Sequence, residues 1–241
     1  MKNSKKYNLF CHIRCNIILV LTAVIIGICA VFGNRNTVSA SNSEYNGTIY
    51  AGDKKIGKVS LMVNVYWGTE YVLKMLDIFE ANGVKTTFFV GGTWVRDNLD
   101  VFKKIIENGH EIGSHGYNHK EHGKLDYSGN YKEIKMCHDE VKSQSGITME
   151  LFAPPGGSYN KSTVSAASDL GYKTIMWTRD TIDWRDHDAS LILRRAVTGM
   201  NSGDLILMHP TASTVEALND VLIYAKSHNL KISPVSETLG L

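Results

Sequence analysis

What most narrows the fold available to this chain is a repeated alternation along it. Short apolar runs rich in β-branched residues occur at 59–64, 85–90, 110–114, 150–153, 172–177, 204–208 and 230–233. Between them lie longer amphipathic stretches at 70–81, 95–107, 131–144, 161–170, 188–200 and 215–227. The first kind reads as buried strand, the second as helix with one apolar face. Gly83, Gly109, Gly171 and Gly203 fall after four helical stretches and before the next run, as left-handed C-caps do. Seven strands with six intervening helices predict an α/β fold on a parallel sheet, either barrel or open. The sequence shows no internal repeat and no low-complexity tract.

Residues 1–40 stand apart. They carry Lys2, Lys5, Lys6, Arg14 and Arg35 and no acidic residue. An apolar run at 17–32 is followed by Val38-Ser39-Ala40, a small-x-small cleavage pattern. This reads as an export signal cleaved after Ala40 or as a membrane anchor, and either places the domain outside the cytoplasm. Without those five, 21 lysines and arginines face 24 aspartates and glutamates, a net charge of about −3. The formal +2 therefore belongs to the leader, and no basic stripe with interleaved aromatics follows. That excludes a nucleic-acid partner and confines membrane contact to the N-terminal segment. Cys11, Cys15 and Cys29 lie in the leader, so Cys137 has no partner within the domain and a large core must supply stability. Residues 41–57, polar and containing glycine, read as a linker or first hairpin, and 58–241 as the domain. The sequence does not address oligomeric state.

In parallel βα folds, binding and catalytic groups gather at the carboxyl ends of the strands. Here those ends carry Asn64, then Ser114-His115, then Ala153-Pro154-Pro155-Gly156, then the stretch Asp180 to Trp184, then His209-Pro210. His115 and His119, four apart, suit two nitrogen ligands of one divalent ion, or equally a polar loop. His122 is a third imidazole nearby: on spacing a third ligand, though it reads better as a surface residue. Asp180 and Asp183 suit an N-cap and first-turn acid, or a carboxylate that orients a histidine beside the indole of Trp184. His209 ends an apolar run and is either a satisfied core-edge residue or a general acid. The Ala153–Asn160 stretch is a rigid turn, or a loop whose backbone N–H meets a developing oxyanion.

Taken together and in order, these pieces resemble the polysaccharide deacetylase family, the NodB-homology domain of carbohydrate esterase family 4, over roughly residues 58–233. Glu111-Ile112-Gly113-Ser114-His115-Gly116-Tyr117-Asn118-His119 is similar to its His-Ser/Thr-x-x-His motif, with Gly116 at the hydroxyl position. Lys85-Thr86-Thr87-Phe88-Phe89-Val90 resembles a strand typical of the family. Pro154-Pro155-Gly156-Gly157-Ser158-Tyr159-Asn160, Asp180-Thr181-Ile182-Asp183-Trp184 and Leu205-Ile206-Leu207-Met208-His209-Pro210 resemble three further motifs. The resemblance implies a distorted (β/α)7 barrel and a zinc-like divalent ion on His115 and His119. It also implies hydrolysis of acetyl groups on a chitin-like or peptidoglycan glycan. By the same resemblance His209 is the general acid supported by Asp180 or Asp183. The Gly156 N–H serves the oxyanion, and Pro154, Pro155, Tyr159 and Trp184 line the groove.

Two departures bear on that expectation. The family's first motif has paired aspartates, a base and a third metal ligand, whereas this strand reads Val63-Asn64-Val65-Tyr66-Trp67-Gly68, with Asn64 at the base position. The family's third-motif arginine is Ala153. An amide accepts no proton at neutral pH, and an arginine left beside it would be an unpaired cation, so the two losses are physically consistent. The Trp67-Gly68 pair resembles a sporulation-associated branch of the family. Glu70 is a surrogate base or ligand, or simply a first-turn acid of its helix. Two functions follow: a metal-dependent deacetylase of cell-wall or spore glycan, or an inactive relative that binds glycan or serves the envelope structurally.

Overall fold

The structure is a computed structural model that describes residues 47–241. The leader expected at 1–40 lies outside the described residues. Among the described residues nine strands form one sheet: β1 (Thr48–Ile49), β2 (Lys58–Val65), β3 (Thr87–Val90), β4 (Glu111–Ser114), β5 (Leu151–Phe152), β6 (Lys173–Ile175), β7 (Arg179–Asp180), β8 (Leu205–Met208) and β9 (Lys231–Ile232). Their order is β1-β6-β5-β4-β3-β2-β8-β7, with β9 also on β2, and every pairing is parallel. The sheet is an open half-barrel with β1 and β7 at its two ends. Eight helices accompany it: α1 (Thr69–Ala81), α2 (Gly92–Asp97), α3 (Leu99–Glu107), α4 (Tyr127–Ser145), α5 (Lys161–Asp169), α6 (Ala189–Val197), α7 (Ala212–Ser227) and α8 (Val235–Leu239).

The core explains the strand composition. Residues 59–65 of β2 are all buried, because helices cover one face of the sheet and side chains of other strands fill the other. Strand alternation sends Leu61, Val63 and Val65 to the helix side with Val72, Met75 and Phe79 of α1. It sends Met62 to the opposite layer with Phe89, Leu151, Ala153, Ile175, Leu205 and Val235. Asn64 shares the Met62 face with Ser60 and lies at the strand's carboxyl end, where Ser60 lies towards its start.

All seven expected strands are present, most of them shorter than the apolar runs suggest. Three differences stand out. The segment read as a linker or hairpin instead places β1 parallel against β6. The helix expected at 95–107 is two helices, because Asn98 at φ −134° and ψ 43° closes α2 and opens α3. The apolar face runs on through Val95, Phe102 and Ile105, all fully buried, so the pattern hides the break. Gly83, Gly109 and Gly171 do follow helix ends with φ of 62°, 74° and 81°. Gly203 instead tightens the turn into β8, where a Cβ would stand 2.6 Å from the Gly52 carbonyl oxygen. Cys137 is buried, and burial pushes its thiol pKa up to about 12. No helix among the described residues is long and apolar enough to cross a membrane.

Candidate active site

Sheet register brings the expected residues to one rim. Val63 pairs with Met208, Val65 with Val90, Val90 with Ser114 and Ser114 with Phe152. Asn64, His115, Ala153 and His209 are therefore the next residues outward at comparable height on four strands. The His115 and Ala153 amides extend the ladder, bonding to Val90 O and Ser114 O at 2.9 Å each.

His209 and Asp183 form the best-defined pair. The fully buried Asp183 carboxylate accepts from the His209 backbone N–H at 2.6 Å, the His209 ring Nδ1 at 2.8 Å and the Thr214 hydroxyl at 2.6 Å. Three donors compensate a carboxylate that would otherwise be expensive to bury. With Nδ1–H held inward, Nε2 is the ring atom left for a ligand. The sequence leaves Asp180 and Asp183 as alternatives, and the fold separates them. Asp180 accepts from the Ile182 N–H at 2.8 Å, closing a turn in which Ile182 takes φ 54°. The Thr214 contribution carries no sequence signal, since it is one of several threonines near a helix start.

His115 is fully buried, with Nδ1 2.7 Å from the Ala153 carbonyl oxygen, so that nitrogen donates and Nε2 carries the lone pair. Burial, then the neighbouring His119, holds its pKa well below the usual histidine value, so the ring is neutral at pH 7. His119 lies 5.1 Å from it, ring to ring, and stands exposed at φ 54°. What burial it has, followed by His209, lowers its pKa too. The unusual φ is held from both sides by buried Glu133, which accepts from the Asn118 N–H and side-chain amide at 2.8 and 2.9 Å and from Lys120 Nζ at 2.9 Å. His122 is not on the surface, as expected, but fully buried, its Nδ1 on Asn130 Oδ1 at 2.7 Å. Gly116 makes room for it: a Cβ there would stand 2.8 Å from His122 Nε2.

The remaining residues form the rim. Pro154 and Pro155 are buried and rigid; Gly156, exposed at φ 58°, follows them. Tyr159 shares a hydrogen bond between hydroxyls with Tyr50, 2.7 Å apart. Trp184 is exposed next to Asp183. Sequence reasoning assigned no role to Tyr66, which stacks on His119 at 4.7 Å, or to the Trp67 indole, which lies parallel to the His209 ring at 6.0 Å. Glu70 is exposed in the first turn of α1, the helix-start acid rather than a member of the histidine cluster.

A catalytic zinc takes three protein ligands. This site offers the lone pairs of His115 and His119 and, on β2, the Asn64 carboxamide, whose buried Oδ1 has no hydrogen-bond partner. Val65, the next residue, packs into the helix-side core. Among the described residues no third histidine, cysteine or carboxylate joins the two imidazoles. The donor set does not match a three-ligand zinc centre.

The polysaccharide deacetylase family profile matches residues 51–175, more than half of the chain. The chain belongs to the polysaccharide deacetylase family. A peptidoglycan-N-acetylglucosamine deacetylase of Bacillus cereus is 30% identical over 180 residues, 70% of this chain and 82% of that one. The uncharacterized protein YlxY of Bacillus subtilis is 37% identical over 191 residues, 79% of this chain but only 60% of its own length. The chain thus spans well under the full length of that relative. Among solved structures, a CE4 family pseudoenzyme from Bacillus anthracis superposes with a TM-score of 0.78 at 35% identity, covering 80% of this chain and 68% of that one. A mutant of that pseudoenzyme, described as having restored enzymatic activity, gives 0.77 at 33%, covering 80% of this chain and 71% of that one. The deacetylase-family fold is thereby shared with both an enzyme and a pseudoenzyme.

Proposed function

We propose that this chain binds N-acetylated cell-wall glycan, of peptidoglycan or spore type, in its rim groove without deacetylating it, and that it does so outside the cytoplasm. One observation carries the reading: the end of β2 beside the histidines holds an amide and a core valine, with no carboxylate. By family resemblance those positions belong to the general base and the third metal ligand, and Ala153 replaces the arginine that would orient the base. A carboxamide accepts no proton from water at neutral pH, so β2 offers no agent for the step that generates the nucleophile. Ala153 lies fully buried against Met62, Phe89 and Ile175, where a guanidinium would lack a partner. The B. anthracis neighbour, itself named a pseudoenzyme, supports the reading, and so does the recovery of activity in its mutant: the scaffold there outlasts its chemistry.

What these residues still do is bind and orient. The Asp183 bonds fix the His209 ring, Ala153 O fixes His115, and Pro154 and Pro155 stiffen the loop that carries Gly156 and Tyr159. Asn64 keeps a buried amide oxygen without a hydrogen-bond partner at the end of β2.

A second reading, a metal-dependent deacetylase with His115 and His119 as two of its ligands, is favoured by the complete Asp183–His209–Thr214 network. Under it His209 would protonate the leaving amine. Mass spectrometry separates the two. The full chain, incubated with acetylated chitooligosaccharides and peptidoglycan fragments and added Zn²⁺ or Co²⁺, is expected to leave every acetyl group in place. Loss of acetyl mass that disappears in His115→Ala would overturn the binding reading.

A further inference from the structure

Among the described residues six large hydrophobic side chains stand exposed: Tyr50, Trp67, Tyr127, Trp184, Ile223 and Leu241. Three of them, Tyr50, Trp67 and Trp184, follow the carboxyl ends of β1, β2 and β7, on the rim that carries His115 and His209. Isolated exposed apolar residues need no explanation, but three of six gathered on one rim beside oriented histidines point to a ligand surface. Trp184 belongs to a motif already assigned to the groove. Trp67 does not, and its setting is the more constrained.

Gly68 follows it at φ 73°, and a Cβ there would stand 2.2 Å from the Pro210 carbonyl oxygen. Only glycine lets the β2–α1 turn close onto the residue after His209. That contact holds the Trp67 indole over the His209 ring, centroids 6.0 Å apart and planes within 6°. The neighbouring Tyr66 is turned the other way, onto His119, and is steadied by the Thr93 hydroxyl at 3.0 Å. Two successive aromatic residues thus cover one histidine each. Trp67 lies parallel to His209 and is nonetheless 43% exposed.

We infer that Trp67 is a stacking platform for a pyranose ring of an N-acetylated hexosamine chain, seated beside His209. The inference rests on the glycan-binding reading and names the residue that takes the sugar. A pyranose offers an apolar face of C–H groups with hydroxyls around its edge. A flat, immobilised indole matches that face, loses little side-chain freedom on binding and leaves the hydroxyl edge to polar neighbours.

Isothermal titration calorimetry of the full chain with an N-acetylglucosamine oligosaccharide tests it, with melting temperature and elution volume as controls for fold and association. Trp67→Ala is expected to weaken binding by about three- to tenfold with an unchanged melting temperature, the range of one aromatic contact. Trp67→Phe, which keeps a ring, is expected to recover most of the loss. Wild-type affinity in Trp67→Ala would overturn the platform while leaving the glycan-binding reading standing. A changed elution volume at unchanged affinity would overturn it in favour of a contact between copies of the chain. No binding by the wild type would overturn both readings.

Discussion

His110 sits buried at the start of β4 with its ring centroid 5.3 Å from Phe79 and 5.0 Å from Phe88. Its Nδ1 accepts from the Thr86 N–H at 3.2 Å, while Nε2 is buried without a partner. Burial first, then the charge of Lys85, lowers its pKa to about 4. Between that value and the ordinary histidine range the unfolded chain takes up a proton that the folded chain refuses. Stability is therefore complete above about pH 6.5 and falls as pH drops towards 4, by at most about 1.4 kcal/mol per unit for this one group. Urea denaturation at pH 7 and 4.5 should show wild type losing about 2 kcal/mol more than His110→Gln, which keeps an acceptor for Thr86 but does not titrate. Equal losses would show that His110 is protonated in the folded state. Single residues were also where the sequence was most informative and most silent. His209 stood out because a polar residue ending an apolar run is unusual, while Asp183 stood level with Asp180. Glu133, Thr214 and Trp67 did not, since a lone acid on a helix, a threonine and an exposed indole are ordinary until the fold gives them neighbours.

At the scale of elements, the strands were legible because glycine-punctuated apolar runs between amphipathic stretches have few other uses. β1 and β7 were not, because neither lies in an apolar run: Thr48–Ile49 sits in a polar stretch and Arg179–Asp180 is itself charged. The split of α2 from α3 was hidden because both halves keep the same buried stripe. The loops that shape the rim depend on backbone geometry more than on hydrophobic pattern, and Gly68 is the clearest case. Gly68→Ala must accept both a left-handed φ and a clash with the Pro210 carbonyl, for an expected loss of about 1–3 kcal/mol. It should also weaken glycan binding, because the turn positions Trp67. Gly83→Ala, with φ 62° but open space around the new methyl, should lose about 1 kcal/mol and leave binding intact. Chemical denaturation with parallel titrations checks both, and equal effects on binding would detach Trp67 from the turn.

For the whole molecule, the parallel half-barrel brings distant segments to one edge, so the positions of five separated motifs were readable as soon as the strands were. Chemistry was less readable, because it depends on whether an imidazole has a carboxylate beside it, and spacing alone does not report that. The rim keeps oriented histidines, a buried carboxylate on one of them and a row of open aromatics, while the strand that should generate a nucleophile carries Asn64 and Val65. On the proposed reading such a rim holds a glycan and leaves its acetyl groups uncut. The most direct test is one calorimetric titration of the full chain with an N-acetylglucosamine oligosaccharide in the presence of Zn²⁺, because the trace reports binding and turnover together. The account predicts saturable injection heats that return to baseline. Sustained heat accompanied by released acetate, or no heat at all, would contradict it.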